Sequence, residues 1–345
     1  MPLVAQRPKN RIILGLMTFG PDRKAGARID SLGEFGQILD YFQQQGYNEI
    51  DTARVYVEGK QEAFTAQAKW KERGLTLATK HYPTQPGMHT PDKIREALET
   101  SLRELQTDTV DIFYLHAADR SVPFEDTLAE VNKMHKESKF VQLGLSNFTA
   151  FEVAEVVMIC RQHGWVRPTV FQAMYNAITR VIDPELITAC RRYGMDIVIY
   201  NPLAGGLLSG KYKLNEIPTD GRFSDTDKSG GSLYRGRYFK DASFDALSMI
   251  EPVVKKHNLT LIETALRWCV HHSQLKIKDG NDGIIIGVSS IKQLESNLTD
   301  LEKGPLPEEV VKTLDEAWLV CKGTAPNYWQ TDLVYTYDTT KALFG

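Results

Sequence analysis

A short apolar run ends in a histidine at Val110-Asp-Ile-Phe-Tyr-Leu-His116. Similar runs end in Asp51 and in Lys80, and Tyr56 lies in the loop that leaves the first of them. Runs of this length, bounded by polar residues, are typical of buried β-strands. The carboxyl ends of parallel strands lie at one edge of a sheet. Parallel pairing would therefore bring Asp51, Tyr56, Lys80 and His116 together.

Apolar runs alternate with segments of helical periodicity along the chain. We predict strands at residues 11–16, 47–51, 75–80, 110–116, 141–146, 169–173, 196–201 and 283–287. Residues 31–45 place Phe35, Ile38 and Phe42 on one helical stripe, and Pro91 opens another helix with Thr90 as its N-cap. Further helices are predicted at residues 123–137, 151–163, 184–193, 244–257, 262–272 and 307–321.

Eight strand–helix alternations favour the α/β class and a (β/α)8 TIM barrel, formed by residues 1–345 as a single domain. The alternative is an open doubly wound sheet, which would normally carry a G-x-G-x-x-G motif after its first strand. Here the first predicted strand is followed by Met17-Thr-Phe-Gly20-Pro instead. Active sites of barrels lie at the carboxyl ends of the strands, where the four polar side chains would converge.

Two segments depart from the alternation. Residues 212–241 form a long connection after strand 7, rich in Gly, Ser, Asp and Arg, and long loops of this kind are usually lids or disordered. Residues 323–345 form a C-terminal tail with aromatic residues and little periodicity. We expect either that this tail folds over the barrel mouth or that it is a loosely ordered terminus.

Composition excludes several classes of function. The chain has 345 residues and a net charge of −3, with a pI near 6.3, so we expect no nucleic-acid partner and no attraction to an anionic membrane. We see no signal peptide and no run approaching the roughly 20 apolar residues of a membrane span. Four widely spaced cysteines fit a reduced, cytoplasmic location.

The residue types at the predicted strand ends suit carbonyl reduction. A tyrosine hydroxyl is a weak acid at neutral pH, and a neighbouring ammonium lowers its pKa. We expect Lys80, held by Asp51, to supply that charge, so that Tyr56 protonates a carbonyl oxygen as a hydride arrives at carbon. His116 would hydrogen-bond the same oxygen. Each residue taken singly has an ordinary structural role as its alternative.

Several motifs support this interpretation, and through them the chain resembles the aldo-keto reductase family. They are Gly15-Leu-Met-Thr-Phe-Gly20, Ile50-Asp-Thr-Ala-Arg-Val-Tyr56, Leu115-His-Ala-Ala-Asp119, Leu143-Gly-Leu-Ser-Asn147, Gln172-Ala-Met-Tyr-Asn176 and Tyr200-Asn-Pro-Leu-Ala-Gly-Gly-Leu-Leu-Ser-Gly210. The resemblance implies that Asp51, Tyr56, Lys80 and His116 are a catalytic tetrad with Tyr56 as proton donor. It also implies NADPH as cofactor, bound without a Rossmann domain.

The same resemblance implies a set of cofactor-binding residues. Ser146, Asn147 and Gln172 match positions that hold the nicotinamide carboxamide, and Tyr200 matches the aromatic residue that stacks on the nicotinamide ring. The remaining candidates match the turn over the pyrophosphate, the adenosine end of the site and the rim of the cofactor cleft: Met17, Asn201, Pro202, Leu203, Gly205, Lys211, Arg222, Ser289, Gln293 and Asn297.

The chain is most similar to the aflatoxin-aldehyde reductase branch of the family. That branch ends in Asn-Tyr-Phe-Arg, whose arginine binds a substrate carboxylate, whereas this chain reads Asn327-Tyr-Trp-Gln330 and continues. A neutral glutamine cannot replace the bidentate contact of a guanidinium. We therefore expect a small-molecule aldehyde or ketone that is neutral or aromatic. The aromatic residues proposed to line its pocket are Tyr82, Tyr234, Tyr238 and Trp329.

Other classes of function remain as alternatives. A cofactor-binding sensor that resembles potassium-channel β subunits would share the fold and the cofactor without turnover. A metal-dependent barrel hydrolase is disfavoured, because His81, His271 and His272 show no ligand spacing and we expect no metal. Dimers occur in the resembled branch, so a homodimer stays open.

Overall fold

The computed structural model describes residues 10–225 and 230–345. Within these residues, eight parallel strands close into a barrel in chain order, and β8 pairs with β1. The (β/α)8 TIM barrel predicted from the sequence is therefore confirmed. The strands are β1 (Arg11–Gly15), β2 (Glu49–Asp51), β3 (Thr76–His81), β4 (Val110–Leu115), β5 (Phe140–Ser146), β6 (Pro168–Met174), β7 (Asp196–Tyr200) and β8 (Gly283–Gly287).

Helices connect the strands and cover the outside of the barrel. Their starts agree with local signals: the Ser31 side chain caps the first helix, and Pro91 is the first residue of the third, after Thr90. The helices are α1 (Leu32–Gln44), α2 (Gln61–Gln67), α3 (Pro91–Glu104), α4 (Phe124–Lys136), α5 (Ala150–His163), α6 (Leu186–Arg192), α7 (Gly231–Tyr238), α8 (Asp241–Lys256), α9 (Leu261–His271), α10 (Ile291–Leu301), α11 (Glu308–Cys321) and α12 (Thr339–Phe344).

Alternation along the strands divides the core into two layers. Side chains at one set of alternate positions pack outward against the helices, as Leu14, Ile50 and Leu77 do. The other set fills the lumen with Ile13, Ala78, Ile112, Tyr114, Val170, Val198 and Ile285. A strand repeats every two residues, so the lumen positions of β2, β3 and β6 continue upward to Asp51, Lys80 and Gln172. The periodicity of the strands thus aims polar groups at the carboxyl end of the barrel.

One glycine allows the lumen to hold a large aromatic ring. Tyr114 is buried inside the barrel on β4, and a Cβ atom at Gly144 on the neighbouring β5 would overlap its ring. The two residues are partners in the parallel register. The absence of a side chain at residue 144 therefore makes room for Tyr114 directly beneath the polar residues of the site.

The connection after β7 contains more structure than its composition suggests. It begins with a 3-10 turn at Ala204–Ser209, and α7 lies within the segment that we predicted as a long loop. Residues 226–229 of that segment lie outside the described residues. Tyr234 and Tyr238 are four residues apart on α7 and are both buried, which gives this short helix its inner face. Its small and charged residues had hidden that pattern.

The C-terminal tail lies against the carboxyl end of the barrel. Tyr328 is buried, and its hydroxyl accepts a hydrogen bond of 3.1 Å from the backbone N–H of Ala150 at the start of α5. The backbone N–H of Gln330 points to the carbonyl of Asn147 at 3.4 Å. The tail then ends in the exposed helix α12.

Two further findings concern the chain as a whole. In the ranges that the structure describes, we find no helix with the length and apolar character needed to cross a membrane. Cys160, Cys190, Cys269 and Cys321 are all buried and carry free thiols.

Candidate active site

Four polar residues come together at the carboxyl edge of β2, β3 and β4. Asp51 is the last residue of β2, Lys80 lies near the end of β3, and His116 directly follows β4. Tyr56 opens a 3-10 turn, Tyr56–Gly59, in the loop after β2. The centroids of the Tyr56 and His116 rings are 6.0 Å apart, with the ring planes at 82°. The structure thus brings together the residues that the strand pattern placed at one edge.

Lys80 and Asp51 form a buried ion pair at the base of this site. The Lys80 ammonium donates to Asp51 Oδ1 and, at 2.7 Å, to the carbonyl of Thr52. Asp51 Oδ2 accepts a hydrogen bond of 2.9 Å from Gln172 Nε2. Charges this deeply buried are stable only when they are paired and their remaining bonding positions are filled. Gln172, expected to hold a nicotinamide, therefore also has a partner inside the barrel.

Burial dominates the acidity of Tyr56. Loss of hydration raises the pKa of Tyr56 well above its usual value near 10, and the charge of Asp51 adds to this, while Arg222 opposes it. The Lys80 ammonium lies 5.3 Å from the centre of the Tyr56 ring. We expected Lys80 to lower this pKa, but loss of hydration is the larger effect and sets the direction of the shift. Tyr56 is therefore a protonated phenol at neutral pH.

His116 is held as a neutral imidazole. Burial lowers its pKa well below the ordinary value of 6.5, and the Lys80 charge lowers it further. Two more histidines, His81 and His89, lie behind it, with their ring centroids 5.6 Å apart. Among the described residues, His116 Nδ1 has no hydrogen-bond partner. A neutral imidazole keeps one N–H, which can donate a hydrogen bond to a substrate carbonyl oxygen.

The backbone beside the site adopts conformations that side chains rarely tolerate. Val57 and Glu58, directly after Tyr56, have φ of 50° and 52°, and Val57 is β-branched. Asn147 and Asn201 have φ of 57° and 59°, which asparagine tolerates better than most residues. Residues in such regions persist only when their surroundings hold them, and they cluster at functional sites.

The ends of β5 and β7 carry linked polar groups. Asn147 Nδ2 donates to the carbonyl of His116 at 2.8 Å and to Ser146 Oγ at 3.0 Å. The hydroxyl of Tyr200 donates to Asn147 Oδ1 at 2.8 Å. Burial raises the pKa of Tyr200 to about 12, so this hydroxyl remains a donor. The network joins the loop after β4 to the two strand ends that we expected to hold a nicotinamide.

The turn after β7 is held by side chains of α7. Asn201 Oδ1 accepts a hydrogen bond of 3.4 Å from the Tyr234 hydroxyl, and Asn201 Nδ2 donates to the Tyr238 hydroxyl at 3.5 Å. Gly205 has φ of 68°, and a Cβ atom there would lie 2.6 Å from Cδ1 of Tyr234. Glycine is therefore required at residue 205 by the packing of Tyr234 as well as by the backbone conformation.

The remaining cofactor candidates surround the same edge. Arg222 lies over the Tyr234 ring, with its guanidinium carbon 5.1 Å from the ring centroid, and Lys211 is exposed at the end of the glycine turn. At the start of α10, the Ser289 N–H donates to Gln293 Oε1 at 2.8 Å. Asn297 is buried one turn further along α10, Pro202 is buried, and Met17 and Leu203 are half-buried.

This arrangement fits a nicotinamide dinucleotide. Tyr200 offers an aromatic face at the mouth, and Ser146 and Asn147 offer amide and hydroxyl groups beside it. Gly206 has φ of 103°, and the nearest atom to a Cβ there would be the Tyr212 hydroxyl at 3.9 Å, so space remains above this turn. Lys211 and Arg222 supply positive charge, and the start of α10 supplies backbone N–H groups suited to phosphate.

A cavity of about 300 Å³ opens beside Asn147 and Tyr200. Of the four aromatic residues expected to line a substrate pocket, Tyr82 and Trp329 line this cavity, whereas Tyr234 and Tyr238 are buried against Asn201. The Tyr82 ring also meets the edge of the His116 ring, with centroids 5.4 Å apart. The other lining residues are Met174, Leu233, Arg237, Pro326, Asn327, Gln330 and Thr331.

Sequence reasoning missed the contribution of α7 to this cavity. Leu233 and Arg237 are four residues apart and so lie on one face of the helix. The Arg237 guanidinium carbon lies 5.4 Å from the centroid of the Tyr234 ring and gives the cavity one positively charged side. The four-residue spacing is present in the sequence, but it indicates a shared face only in a helix, and this segment was predicted to be a loop.

Comparison with known proteins agrees with the geometry. The model of the aldo/keto reductase family matches residues 11–319. The chain belongs to the aldo-keto reductase family. This aldo-keto reductase is therefore an oxidoreductase that acts on carbonyl compounds, in a family that generally uses nicotinamide cofactors.

Relatives from animals and fungi match this aldo-keto reductase over most of its length. The human protein named aldo-keto reductase family 7 member A3 is 41% identical over 335 residues, which are 94% of this chain and 98% of that protein. Mouse aflatoxin B1 aldehyde reductase member 2 is 40% identical over 92% of this chain and 87% of its own. The aldo-keto reductase pigE of Monascus ruber is 39% identical over 93% of this chain and 98% of its own.

Within 10–225 and 230–345, no cluster of three or more histidine, cysteine, aspartate or glutamate side chains is arranged to hold a metal ion. The histidines nearest the site, His81 and His89, are instead buried beside His116.

Proposed function

We propose that this aldo-keto reductase catalyses the NADPH-dependent reduction of an aldehyde or ketone to an alcohol, with Tyr56 as the proton donor. The observation that supports this most strongly is the buried group of Tyr56, His116 and the Lys80–Asp51 pair at the end of the barrel. When bound, NADPH supplies the hydride for the carbonyl carbon. Ser146, Asn147 and Tyr200 would hold its nicotinamide end, and Lys211, Arg222 and the start of α10 its phosphates.

The residues of the protein would donate the proton, position the carbonyl oxygen and stabilise the resulting phenolate. Tyr56 stays protonated because burial raises its pKa, and it gives its proton to the carbonyl oxygen when that oxygen becomes strongly basic. Neutral His116 directs a hydrogen bond to the same oxygen and fixes its position. The nearby Lys80 ammonium stabilises the phenolate that remains, and Asp51 holds the ammonium in place.

The cavity supports a neutral or aromatic substrate. Tyr82, Tyr200 and Trp329 provide aromatic surface, and Gln330 contributes an uncharged amide where the resembled branch has an arginine. Arg237 on α7 also lines the cavity, and its guanidinium carbon lies 5.4 Å from the centroid of the Tyr234 ring. Because this guanidinium lies over an aromatic ring, we expect it to bind a substrate carboxylate less well than an arginine at residue 330 would.

The first experiment follows oxidation of NADPH with 4-nitrobenzaldehyde and with succinic semialdehyde. Tyr56→Phe removes only the hydroxyl, so we expect a loss of kcat of about 10²–10⁴-fold with NADPH affinity unchanged. Negligible turnover by the unaltered enzyme, together with tight NADPH binding, would refute the proposed reductase and favour the cofactor-binding sensor.

A second variant tests the substrate class. Gln330→Arg adds the missing guanidinium, so we expect kcat/KM for succinic semialdehyde to rise about tenfold relative to 4-nitrobenzaldehyde, while Gln330→Asn leaves the ratio unchanged. A preference of the unaltered enzyme for succinic semialdehyde over the aromatic aldehyde would contradict a neutral or aromatic substrate.

A further inference from the structure

A second buried ion pair lies beside the cavity and outside the catalytic group. Arg120, in the loop between β4 and α4, donates from Nε and Nη2 to the two carboxylate oxygens of Glu152 at 2.7 and 2.9 Å. The exposed fractions of the two side chains are 3% and 0%. A planar guanidinium paired in this bidentate way has a fixed orientation, which a lysine could not supply.

Glu152 is tied to three elements of the fold. Its Oε2 atom accepts hydrogen bonds from the Thr149 N–H at 2.7 Å and the Thr149 hydroxyl at 2.9 Å, forming a capping box at the start of α5. Its Oε1 atom accepts a bond of 2.6 Å from the hydroxyl of Tyr335 in the C-terminal tail. Because both oxygens of this buried carboxylate accept hydrogen bonds from different segments, Glu152 fixes the relative position of α5, the loop after β4 and the tail.

Arg120 also holds the C-terminal tail directly. Its remaining nitrogen, Nη1, donates to the carbonyl of Gln330 at 2.8 Å and to Thr331 Oγ1 at 2.6 Å. Its backbone carbonyl accepts from the Thr336 N–H at 3.0 Å. Thr331 has φ of 63°, a costly conformation for a β-branched residue, and its hydroxyl accepts from Arg120 and donates to the Gln330 carbonyl at 2.6 Å.

The residues held in this way form one wall of the cavity. Trp329, Gln330 and Thr331 all line it, and the Gln330 N–H points to the carbonyl of Asn147. Arg120 therefore lies where three elements meet: the loop that begins with His116, the strand end that carries Asn147, and the tail that supplies Trp329.

We propose that Arg120 is a positioning residue that determines substrate specificity by fixing the wall formed by Trp329, Gln330 and Thr331. The inference rests on the proposed function, since the wall would contact the part of the substrate remote from the reacting carbonyl. A carbonyl compound too small to reach the wall gains nothing from Arg120. An aromatic aldehyde that packs on Trp329 is bound and oriented by a wall that Arg120 holds in place.

The main variant removes the ion pair as a unit. Arg120→Met with Glu152→Met leaves no unpaired buried charge, which a single substitution would do. We expect KM for 4-nitrobenzaldehyde to rise about tenfold, or about 1.4 kcal/mol, while kcat and KM for propanal change less than twofold. Arg120→Lys keeps the charge without the planar fork, so it should recover only part of the affinity.

Arg180→Met is the matched control. Arg180 is also buried, with 8% of the residue exposed against 5% for Arg120, but it is bonded to Asp315 and to the carbonyl of Leu314 on α11. We expect it to lower stability without changing the ratio of the two aldehydes. A change in that ratio as large as that of the Arg120 variant would overturn the positioning role.

Two readouts separate positioning from a general structural role. Hydrogen exchange of residues 326–337 should become faster in the Arg120/Glu152 variant while the barrel strands stay protected. Trp329→Ala should raise KM for 4-nitrobenzaldehyde much less in the Arg120/Glu152 variant than in the unaltered enzyme, because both changes disrupt the same wall. If the two changes in KM were additive, or if hydrogen exchange of residues 326–337 were unchanged, the positioning role of Arg120 would be overturned.

Failure of the inference can be distinguished from failure of the proposed function. Affinity for 4-nitrobenzyl alcohol in the presence of saturating NADP⁺ depends on the wall but not on turnover. If the unaltered protein bound this alcohol in an Arg120-dependent way yet reduced no carbonyl, the proposed function would fail and the role of Arg120 would stand. Normal turnover with an unchanged aldehyde ratio in the variant would refute the role of Arg120 alone.

Discussion

At the scale of single residues, the site depends on which charges are buried and how each is compensated. Lys80 and Asp51 are both buried and paired, and Gln172 completes the carboxylate. We expected the Lys80 charge to acidify Tyr56, but burial of the phenol is the larger effect and raises its pKa. In the proposed reaction, Tyr56 therefore stays protonated until a substrate oxygen becomes basic enough to take its proton, and the Lys80 ammonium limits the cost of the buried phenolate that results.

Removing one member of the buried pair should damage both stability and activity. Lys80→Met leaves the buried Asp51 carboxyl without its partner, so we expect a loss of about 3–5 kcal/mol in the free energy of unfolding, measured by urea denaturation. Lys80→Met with Asp51→Leu should recover most of the stability but none of the turnover. Recovery of turnover in the double variant would show that the pair serves only folding.

The buried histidines predict loss of stability in mild acid. Burial lowers the pKa of His81 to about 4 and that of His89 to about 3, so the folded protein binds fewer protons than the unfolded chain below pH 6.5. The free energy of unfolding should therefore fall as pH falls from 6.5 towards 4, by about 1.4 kcal/mol per pH unit for each histidine. Urea denaturation between pH 5 and 7 measures this slope. His81→Leu with His89→Leu should reduce it, and an unchanged slope would contradict the assignment.

At the scale of elements, the lumen and the connections position the site. Tyr114 on β4 fills the lumen beneath Lys80, with its ring centroid 5.8 Å from the ammonium, and Gly144 on β5 leaves room for it. Above the strands, α7 supports the turn at Asn201 and lines the cavity with Leu233 and Arg237. Gly144 thus allows the packing of Tyr114 beneath Lys80, and α7 supports the turn and the cavity at the end of the barrel.

Filling the lumen should destabilise the barrel. In Gly144→Ala, the new methyl group overlaps the Tyr114 ring, so we expect a loss of about 1–3 kcal/mol in thermal or chemical unfolding. Tyr114→Leu should recover part of this loss in the double variant. Gly236→Ala is the control, because a Cβ atom there meets no neighbour within 4 Å, and helix propensity favours alanine. Equal effects of the two alanines would contradict the packing argument.

At the scale of the whole molecule, the barrel mouth is completed by segments that are distant in the chain. The β5 strand end, α7 and the C-terminal tail each supply lining residues of the cavity, and Arg120 and Glu152 join two of these to the loop after β4. A cofactor that bridges several strand ends should bind the folded chain and not the unfolded one.

Cofactor binding should therefore stabilise the folded protein. At about 100 times its Kd, NADPH should add about 2.7 kcal/mol to the free energy of unfolding, seen as a rise in Tm. Tyr56→Phe should keep this rise, because the phenol acts on the substrate. NADH at equal concentration should give a smaller rise, since it lacks the 2′-phosphate that a basic site would bind. Equal rises for the two cofactors would contradict NADPH as the preferred one.

Local sequence patterns were sufficient to predict most of the barrel and several residues of the candidate site. Short apolar runs between helical segments predicted the eight strands to within a few residues, and the ends of those runs placed Asp51, Lys80 and His116 at one edge. The composition of residues 212–241 was misleading, because the buried face of α7 consists of two tyrosines among small and charged residues. Periodicity reports an element only when enough of its residues are apolar.

The sequence by itself determined the parallel barrel and the residue types at its carboxyl edge, because strand periodicity is a property of neighbouring residues. The tertiary structure decided the partners and the charge states. Gln172 reaches Asp51 across 121 positions of the chain, and Tyr335 reaches Glu152 across 183. Such contacts depend on barrel closure and on the course of the tail. Burial, which sets the pKa of Tyr56 and of His116, exists only once those distant segments have packed together.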